Sequence, residues 1–93
     1  MESKAELYHH GLNPYYFETF NDDQCIHVLF ALESLRIPYT RVARLDHDVK
    51  SLCFYLPDNA SLEQLRKSIE DGQYFTGDEA YSKYALVYEN SFV

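Results

Sequence analysis

Two polar segments with the spacing of a helix capping box divide this chain into strand-forming and helix-forming parts. Asn21 and Gln24 form the first box, and Ser61 and Gln64 form the second. In a capping box the first side chain accepts a hydrogen bond from an amide of the first helical turn, and the second side chain reaches back to the amide before it. Each box therefore predicts that a helix begins at once, and the chain should hold two helices.

Apolar residues recur at helical spacing after each box. They form one stripe on each helix, because positions three and four apart share a face. Pro38 ends the first helix, and Asp71-Gly72 ends the second, where glycine suits a left-handed cap. The residues of the two stripes are Cys25, Val28, Leu29, Leu32 and Leu35, and Leu62, Leu65 and Ile69.

Four further segments have the character of strands. They are rich in aromatic and β-branched residues, or they alternate apolar with polar side chains. The segments cover residues 15–20, 39–45, 50–56 and 84–89. The short polar tripeptide Asp46-His47-Asp48 between the second and third predicts a hairpin. Residues 73–76 are a candidate for a short additional strand.

The order strand, helix, strand, strand, helix, strand predicts an α+β fold of the ferredoxin-like βαββαβ type. Its four-stranded antiparallel sheet would have the spatial order fourth, first, third, second, with both helices on one face. A length of 93 residues suits one domain with one core. We expect a polar N-terminal leader over residues 1–14, set apart by Gly11 and Asn13-Pro14, and a single domain over residues 15–93.

The chain is strongly acidic, with 15 Asp and Glu against eight Lys and Arg and a net charge of −7. Residues 1–35 carry a net charge of −5, residues 36–67 carry +2 and residues 68–93 carry −4. In the predicted strand order the two acidic ends are neighbours, and the second strand, with Arg41 and Arg44, forms the opposite edge. So acidic a chain repels phosphate backbones, which disfavours direct binding to nucleic acid.

Tyrosine is the other unusual feature, since nine of the 93 residues are Tyr. Acids interleaved with tyrosines are typical of a protein-binding surface, because the rings supply buried area and the carboxylates steer toward a basic partner. We therefore predict a non-enzymatic inhibitor that occupies the basic, nucleic-acid-binding surface of a partner protein. Phage anti-defence and anti-CRISPR proteins, which act in host–virus interaction, are inhibitors of this kind. The predicted protein-binding residues are Asp22, Asp23, Glu70, Asp71, Tyr74, Asp78, Glu79, Tyr81, Tyr84, Tyr88 and Glu89.

No catalytic residue, metal site or cofactor is predicted. Cys25 and Cys53 fall in apolar runs, and two cysteines provide neither a cluster ligand set nor a disulfide framework. The Asp46-His47-Asp48 turn would need further ligands to hold a divalent cation. Because the N-terminal residues contain no apolar run of signal-peptide length, we expect a cytoplasmic protein, in the host cytoplasm if it is phage-encoded, with no membrane association.

Three alternatives remain open on the sequence alone. The exposed face of the sheet could pair with a second copy, giving a homodimeric regulatory or small-ligand-binding module. A small enzyme could use acids and tyrosines in a cleft, with perturbed ionisation and a concave pocket. An RNA-recognition-like domain has the same topology and stacks bases on aromatic rings of its two central strands. The rings in question here are Tyr15, Phe17, Phe54 and Tyr55.

Overall fold

The computed structural model describes residues 13–71 and 78–92. These residues form an α+β fold with an antiparallel sheet, which confirms the broad fold class. The strands are β1 (Tyr16–Thr19), β2 (Thr40–Asp46) and β3 (Val49–Tyr55). The helical segments are α1 (Asp22–Ser34), α2 (Asn59–Asp71), α3 (Asp78–Tyr84) and α4 (Val87–Asn90).

The sheet has the order β1-β3-β2, and both pairings are antiparallel. The three strands therefore take the relative order that the sequence predicts, and β2 is an edge strand of the described sheet. A two-residue loop joins β2 to β3, because Asp46 pairs with Val49. His47 in this loop has φ 55°, as tight hairpins often require of their first loop residue.

The first capping box forms as predicted. The Asn21 side chain accepts a hydrogen bond from the Gln24 amide at 2.9 Å, and Gln24 Oε1 accepts one from the Phe20 amide at 2.8 Å. Helix α1 ends at Ser34, a few residues before Pro38, and Arg36 just beyond it has a left-handed backbone with φ 57°. The Ile37 amide then bonds the Leu32 carbonyl at 2.9 Å, which satisfies a carbonyl that the helix leaves open.

The second helix begins earlier than the predicted box at Ser61 and Gln64. Its first residue is Asn59, and Asp58 Oδ1 accepts the Ser61 amide at 2.8 Å. This hydrogen bond lowers the pKa of Asp58, since it stabilises the charged carboxylate. An aspartate directly after a proline therefore acts as the cap, and Ser61 provides the amide rather than the acceptor.

One core lies between the sheet and the helices. From β3, Leu52 and Phe54 point into it, and α2 contributes Leu62 and Leu65. Helix α1 packs against α2 on one flank and against α3 and α4 on the other, so it occupies the centre of the helical layer. The buried residues of α1 are Cys25, Ile26, Val28, Leu29, Ala31 and Leu32.

The predicted fourth strand over residues 84–89 is wrong. Tyr84 ends α3, and α4 begins at Val87. The β propensity of this segment is overridden because helical spacing turns Tyr84 into the core, where its ring meets Phe30 edge-to-face at 6.5 Å. Leu86 between the two helices has φ 70°. The described residues therefore form no four-stranded ferredoxin-like sandwich.

Some sequence predictions fall outside the described residues. They are residues 1–12 of the predicted leader, the helix-ending Gly72, and the additional strand at residues 73–76.

Replacing Leu32 tests whether α1 holds the core together. Leu32 is fully buried, so Leu32→Ala should lower the free energy of unfolding by about 2–5 kcal/mol, through lost burial and an unfilled cavity. Leu45→Ala is the matched control, because Leu45 is 67% exposed and its loss should cost less than about 0.5 kcal/mol. Urea denaturation measures both, and equal losses would contradict this assignment of the core.

Candidate functional site

Two adjacent carboxylates open helix α1. Asp22 is half-buried and Asp23 is exposed, and both lie in the first helical turn. The Asn21 cap fixes this turn, and the positive end of the helix dipole favours acids there. The start of α1 is therefore a rigid place at which to display negative charge.

Tyr81 of α3 contacts this acidic turn. Its hydroxyl donates a hydrogen bond to the Asp23 carboxylate, while 39% of the residue stays exposed. The hydrogen bond to Asp23, with burial and the charges of Asp23 and Asp22, raises the pKa of Tyr81 above its ordinary 10.0. The contact thus joins the C-terminal part of the chain to the start of α1.

Tyr88 of α4 makes a second connection beside the first. Its hydroxyl lies 2.9 Å from the Phe20 carbonyl and 2.8 Å from the Lys50 carbonyl, so its single proton can be donated to either carbonyl. Burial, with the nearby charge of Asp22, raises the pKa of Tyr88. Its ring also meets Phe92 edge-to-face at 5.0 Å. These contacts hold α4 at the same end of the molecule as the acidic turn.

We call the resulting patch the acid–tyrosine surface. It combines exposed or half-buried carboxylates with two partly accessible rings, on α1, α3 and α4. Its residues are Asp22, Asp23, Tyr81 and Tyr88, and Glu89 is exposed next to Tyr88 in α4.

The remaining predicted binding residues are not all on this surface. Tyr84 is only 5% exposed and belongs to the core, so its ring is not offered to a partner. Glu70 and Asp71 are exposed at the end of α2, on the opposite flank of α1 from α3. Asp78 and Glu79 belong to the first turn of α3. Tyr74 lies outside the described residues.

A second contact holds α3 near the far end of α1. Lys83 Nζ donates to Glu33 Oε1 at 2.9 Å. Hydrogen bonds from Lys83 and Tyr84 lower the pKa of Glu33. Contacts at both ends of α1 therefore set the position of α3 along it.

An apolar groove runs beside the acidic turn, between β1, α1 and α2. It has a volume of about 290 Å³. The sequence did not predict this groove, because three separated segments supply its walls. Phe20, an exposed aromatic residue directly after β1, is a sequence signal for it. Its lining residues are Phe17, Glu18, Phe20, Gln24, His27, Val28 and Ile69.

The face of the sheet opposite the helices carries a covered tyrosine. Tyr55 has no exposed surface; its ring lies 5.4 Å from that of Tyr16, and Arg44 donates a hydrogen bond to its hydroxyl. Phe54 points the other way and is fully buried in the core. Neither of these two rings is exposed for stacking on a base.

The cysteines carry raised pKa values. Burial raises the pKa of Cys25 to about 11 and raises that of Cys53 as well, so both thiols are protonated near neutral pH. Among the described residues, no group of three or more His, Cys, Asp or Glu side chains could hold a metal ion. No helix within residues 13–71 and 78–92 is long and apolar enough to cross a membrane.

Comparison with known proteins adds no relative. No family model matches the chain, and neither the curated proteins nor the solved structures contain a match.

The pKa of Tyr81 tests the contact with α1. Asp23→Asn removes the negative charge beside the phenol, so the pKa of Tyr81 should fall toward its ordinary 10.0, because a phenolate is no longer repelled. An NMR titration with ring-labelled tyrosine measures it. Asp48→Asn in the hairpin loop is the matched control and should leave Tyr81 unchanged. Identical Tyr81 titrations in wild type and Asp23→Asn would contradict the contact.

The Lys83–Glu33 pair predicts a pH-dependent loss of stability. Because folding lowers the pKa of Glu33 from 4.5, the pair stabilises the fold above pH 4.5, and this stabilisation disappears as the pH falls through the lowered value. Lys83→Met should therefore reduce thermal stability slightly at pH 7, since the pair is exposed, and leave it unchanged at strongly acidic pH. Lys67→Met is the control, and a deficit for Lys83→Met that persists in acid would contradict the assignment.

Proposed function

We propose that this protein is a non-enzymatic binding module that inhibits a partner protein by occupying a basic surface. The observation that carries the proposal is the meeting of Tyr81 and Tyr88 with two adjacent carboxylates, Asp22 and Asp23, on a rigid helix start. Partly exposed rings beside carboxylates combine the two ingredients of a polar interface: area that can be buried, and charge that orients the encounter.

The charge distribution supports a basic partner. The acid–tyrosine surface lies with the helices, whereas Arg44 of β2 contacts Tyr55 on the opposite face of the sheet. The acids of this surface add to a net charge of −7 for the whole chain. Negative charge of this kind attracts a basic surface during diffusion and speeds association.

Basic surfaces inside cells belong mainly to proteins that bind nucleic acid, whose lysines and arginines neutralise phosphates. An acidic module on that surface would displace DNA or RNA by occupying the same cations. We therefore propose a phage-type anti-defence inhibitor, of the anti-CRISPR kind, that acts in the host cytoplasm. It uses no cofactor and makes no direct contact with nucleic acid or membrane.

A second candidate function is a homodimeric module, which is favoured by the exposed strand β2. Strand β2 has seven residues, most of them exposed, and an edge strand can pair with the same strand of another copy. A homodimeric module would show a dimer mass in light scattering at micromolar concentration. A monomer mass that does not change with concentration would remove this candidate.

Variants in which acidic side chains are replaced by the corresponding amides test the inhibitor proposal. The triple variant Asp22→Asn, Asp23→Asn and Glu89→Gln should bind a captured partner with an association rate about ten-fold lower at low salt, because steering is lost. Its matched control, Asp46→Asn, Asp48→Asn and Glu63→Gln, changes the net charge equally at other sites. Surface plasmon resonance at two salt concentrations measures both.

The partner is obtained by pull-down from bacterial lysate and then incubated with DNA or RNA. The proposal expects the protein and nucleic acid to exclude each other on the partner. A partner whose nucleic-acid binding is unchanged would contradict inhibition by competition. Equal association rates for the two triple variants would contradict the placement of the interface.

A further inference from the structure

Strand β1 has an outer edge that no strand pairs with in the part of the chain that the structure describes. It is the first strand in the order β1-β3-β2, so β3 covers one side of it only. At its start, the Leu56 amide donates to the Tyr15 carbonyl at 2.7 Å. Because bonded and non-bonded pairs alternate along an antiparallel ladder, the backbone groups of Tyr16 and Glu18 point away from β3.

The neighbours of Tyr16 and Glu18 limit this edge at both ends. Pro14 has no amide hydrogen to donate. At the other end, the Phe20 amide donates to Gln24 Oε1 at 2.8 Å, and the Phe20 carbonyl lies 2.9 Å from the Tyr88 hydroxyl. The amides and carbonyls that the edge offers to a further strand are therefore those of Tyr16 and Glu18.

The same strand of a second copy fits these groups in one register. With two β1 strands antiparallel and Phe17 opposite Phe17, Tyr16 of each copy faces Glu18 of the other, and each such pair exchanges both N–H···O bonds. Setting Glu18 opposite Glu18 brings like charges together and pairs Tyr16 with Phe20, whose backbone is already bonded. Setting Tyr16 opposite Tyr16 pairs Glu18 with Pro14, which lacks the donor.

The charges beside the edge are complementary in this register. Arg66 of α2 lines a hollow at the edge together with Tyr16 and Glu18, and it lies 4.0 Å from Glu63. Glu18 of one copy, placed opposite Tyr16 of the other, therefore approaches that copy's Arg66. Strand β1 leads into α1, so antiparallel pairing also sends the two acidic helix starts to opposite ends of the joint, which limits the repulsion between two chains of charge −7.

Pairing would also cover apolar surface. Phe17 and Phe20 line the groove on the helix side of β1, and Phe20 is 49% exposed. On the other side of the strand, Tyr16 is 40% exposed. Cross-strand contacts between such rings add to the stability that the backbone bonds supply.

We propose that two copies of this chain pair through β1, so that the two sheets join into one continuous antiparallel sheet. This inference does not depend on the partner proposed above. The dimer displays one acid–tyrosine surface from each copy, at opposite ends of the shared strand pair.

Sedimentation equilibrium and hydrogen exchange of the wild-type protein test the pairing. The mass should rise from 11.0 kDa toward twice that value between low micromolar and near-millimolar concentration. In the concentrated sample the amides of Tyr16 and Glu18 should exchange about five-fold more slowly, because the second strand accepts their hydrogen bonds. By the same alternation, the outward amides of β2 include those of Arg41 and Ala43, and their exchange should not depend on concentration.

The variant Glu18→Pro removes one of the outward amides. Proline is tolerated on an edge strand where the N–H faces away from the ladder, so the fold should persist, which urea denaturation checks. The variant should raise the dissociation constant of the dimer at least about ten-fold. Ala43→Pro makes the same change on the edge of β2 and is the matched control, which should dimerise like the wild type.

Each outcome separates this proposal from the inhibitor proposal. A mass of 11.0 kDa at every concentration overturns self-pairing and leaves the inhibitor proposal standing. A dimer that protects Arg41 and Ala43 instead, and that Ala43→Pro disrupts, lies at β2 and also overturns it. Protection of Tyr16 and Glu18 that appears only when a captured partner is added assigns the edge to a strand of that partner, which again overturns self-pairing.

Discussion

The packing of helix α1 against the sheet and against the other helices is the interaction on which the rest of the structure depends. Its buried stripe closes the core over β3, and α2, α3 and α4 all pack against it. The apolar burial supplies most of the stability. Polar contacts at the two ends of α1, from Tyr81 to Asp23 and from Lys83 to Glu33, determine where α3 lies along it.

The candidate site is a consequence of this arrangement. A helix that begins at an exposed corner of the layer displays the acids of its first turn, and the neighbours on its two flanks decide what stands beside them. On one flank, α3 and α4 bring Tyr81 and Tyr88. On the other, α2 brings Ile69 and completes the groove. Negative charge, tyrosine rings and the apolar groove thus lie around the first turn of α1, and interfaces combine features of these kinds.

Local signals predicted the parts of the fold that depend on local interactions. Asn21 and Gln24 cap α1 as their spacing indicates, and β3 follows its alternating pattern. The strand predicted over residues 84–89 is wrong because β propensity competed there with the helical spacing of Tyr81, Tyr84 and Tyr88. The packing of Tyr84 against Phe30 favours the helix. Two acids and two tyrosines of the predicted site do meet, yet the groove could not be predicted, since its walls come from three segments.

The conformation of residues 84–90 tests the central claim that the C-terminal segment packs on α1 as helices and so builds the acid–tyrosine surface. NMR backbone assignment gives the Cα chemical shifts of these residues and the nuclear Overhauser contacts of the tyrosine rings. The account predicts helical shifts over Val87–Asn90, with contacts from Tyr84 to Phe30 and from Tyr81 to Asp23. Extended-chain shifts with contacts from this segment to β1 would show a fourth strand and contradict it.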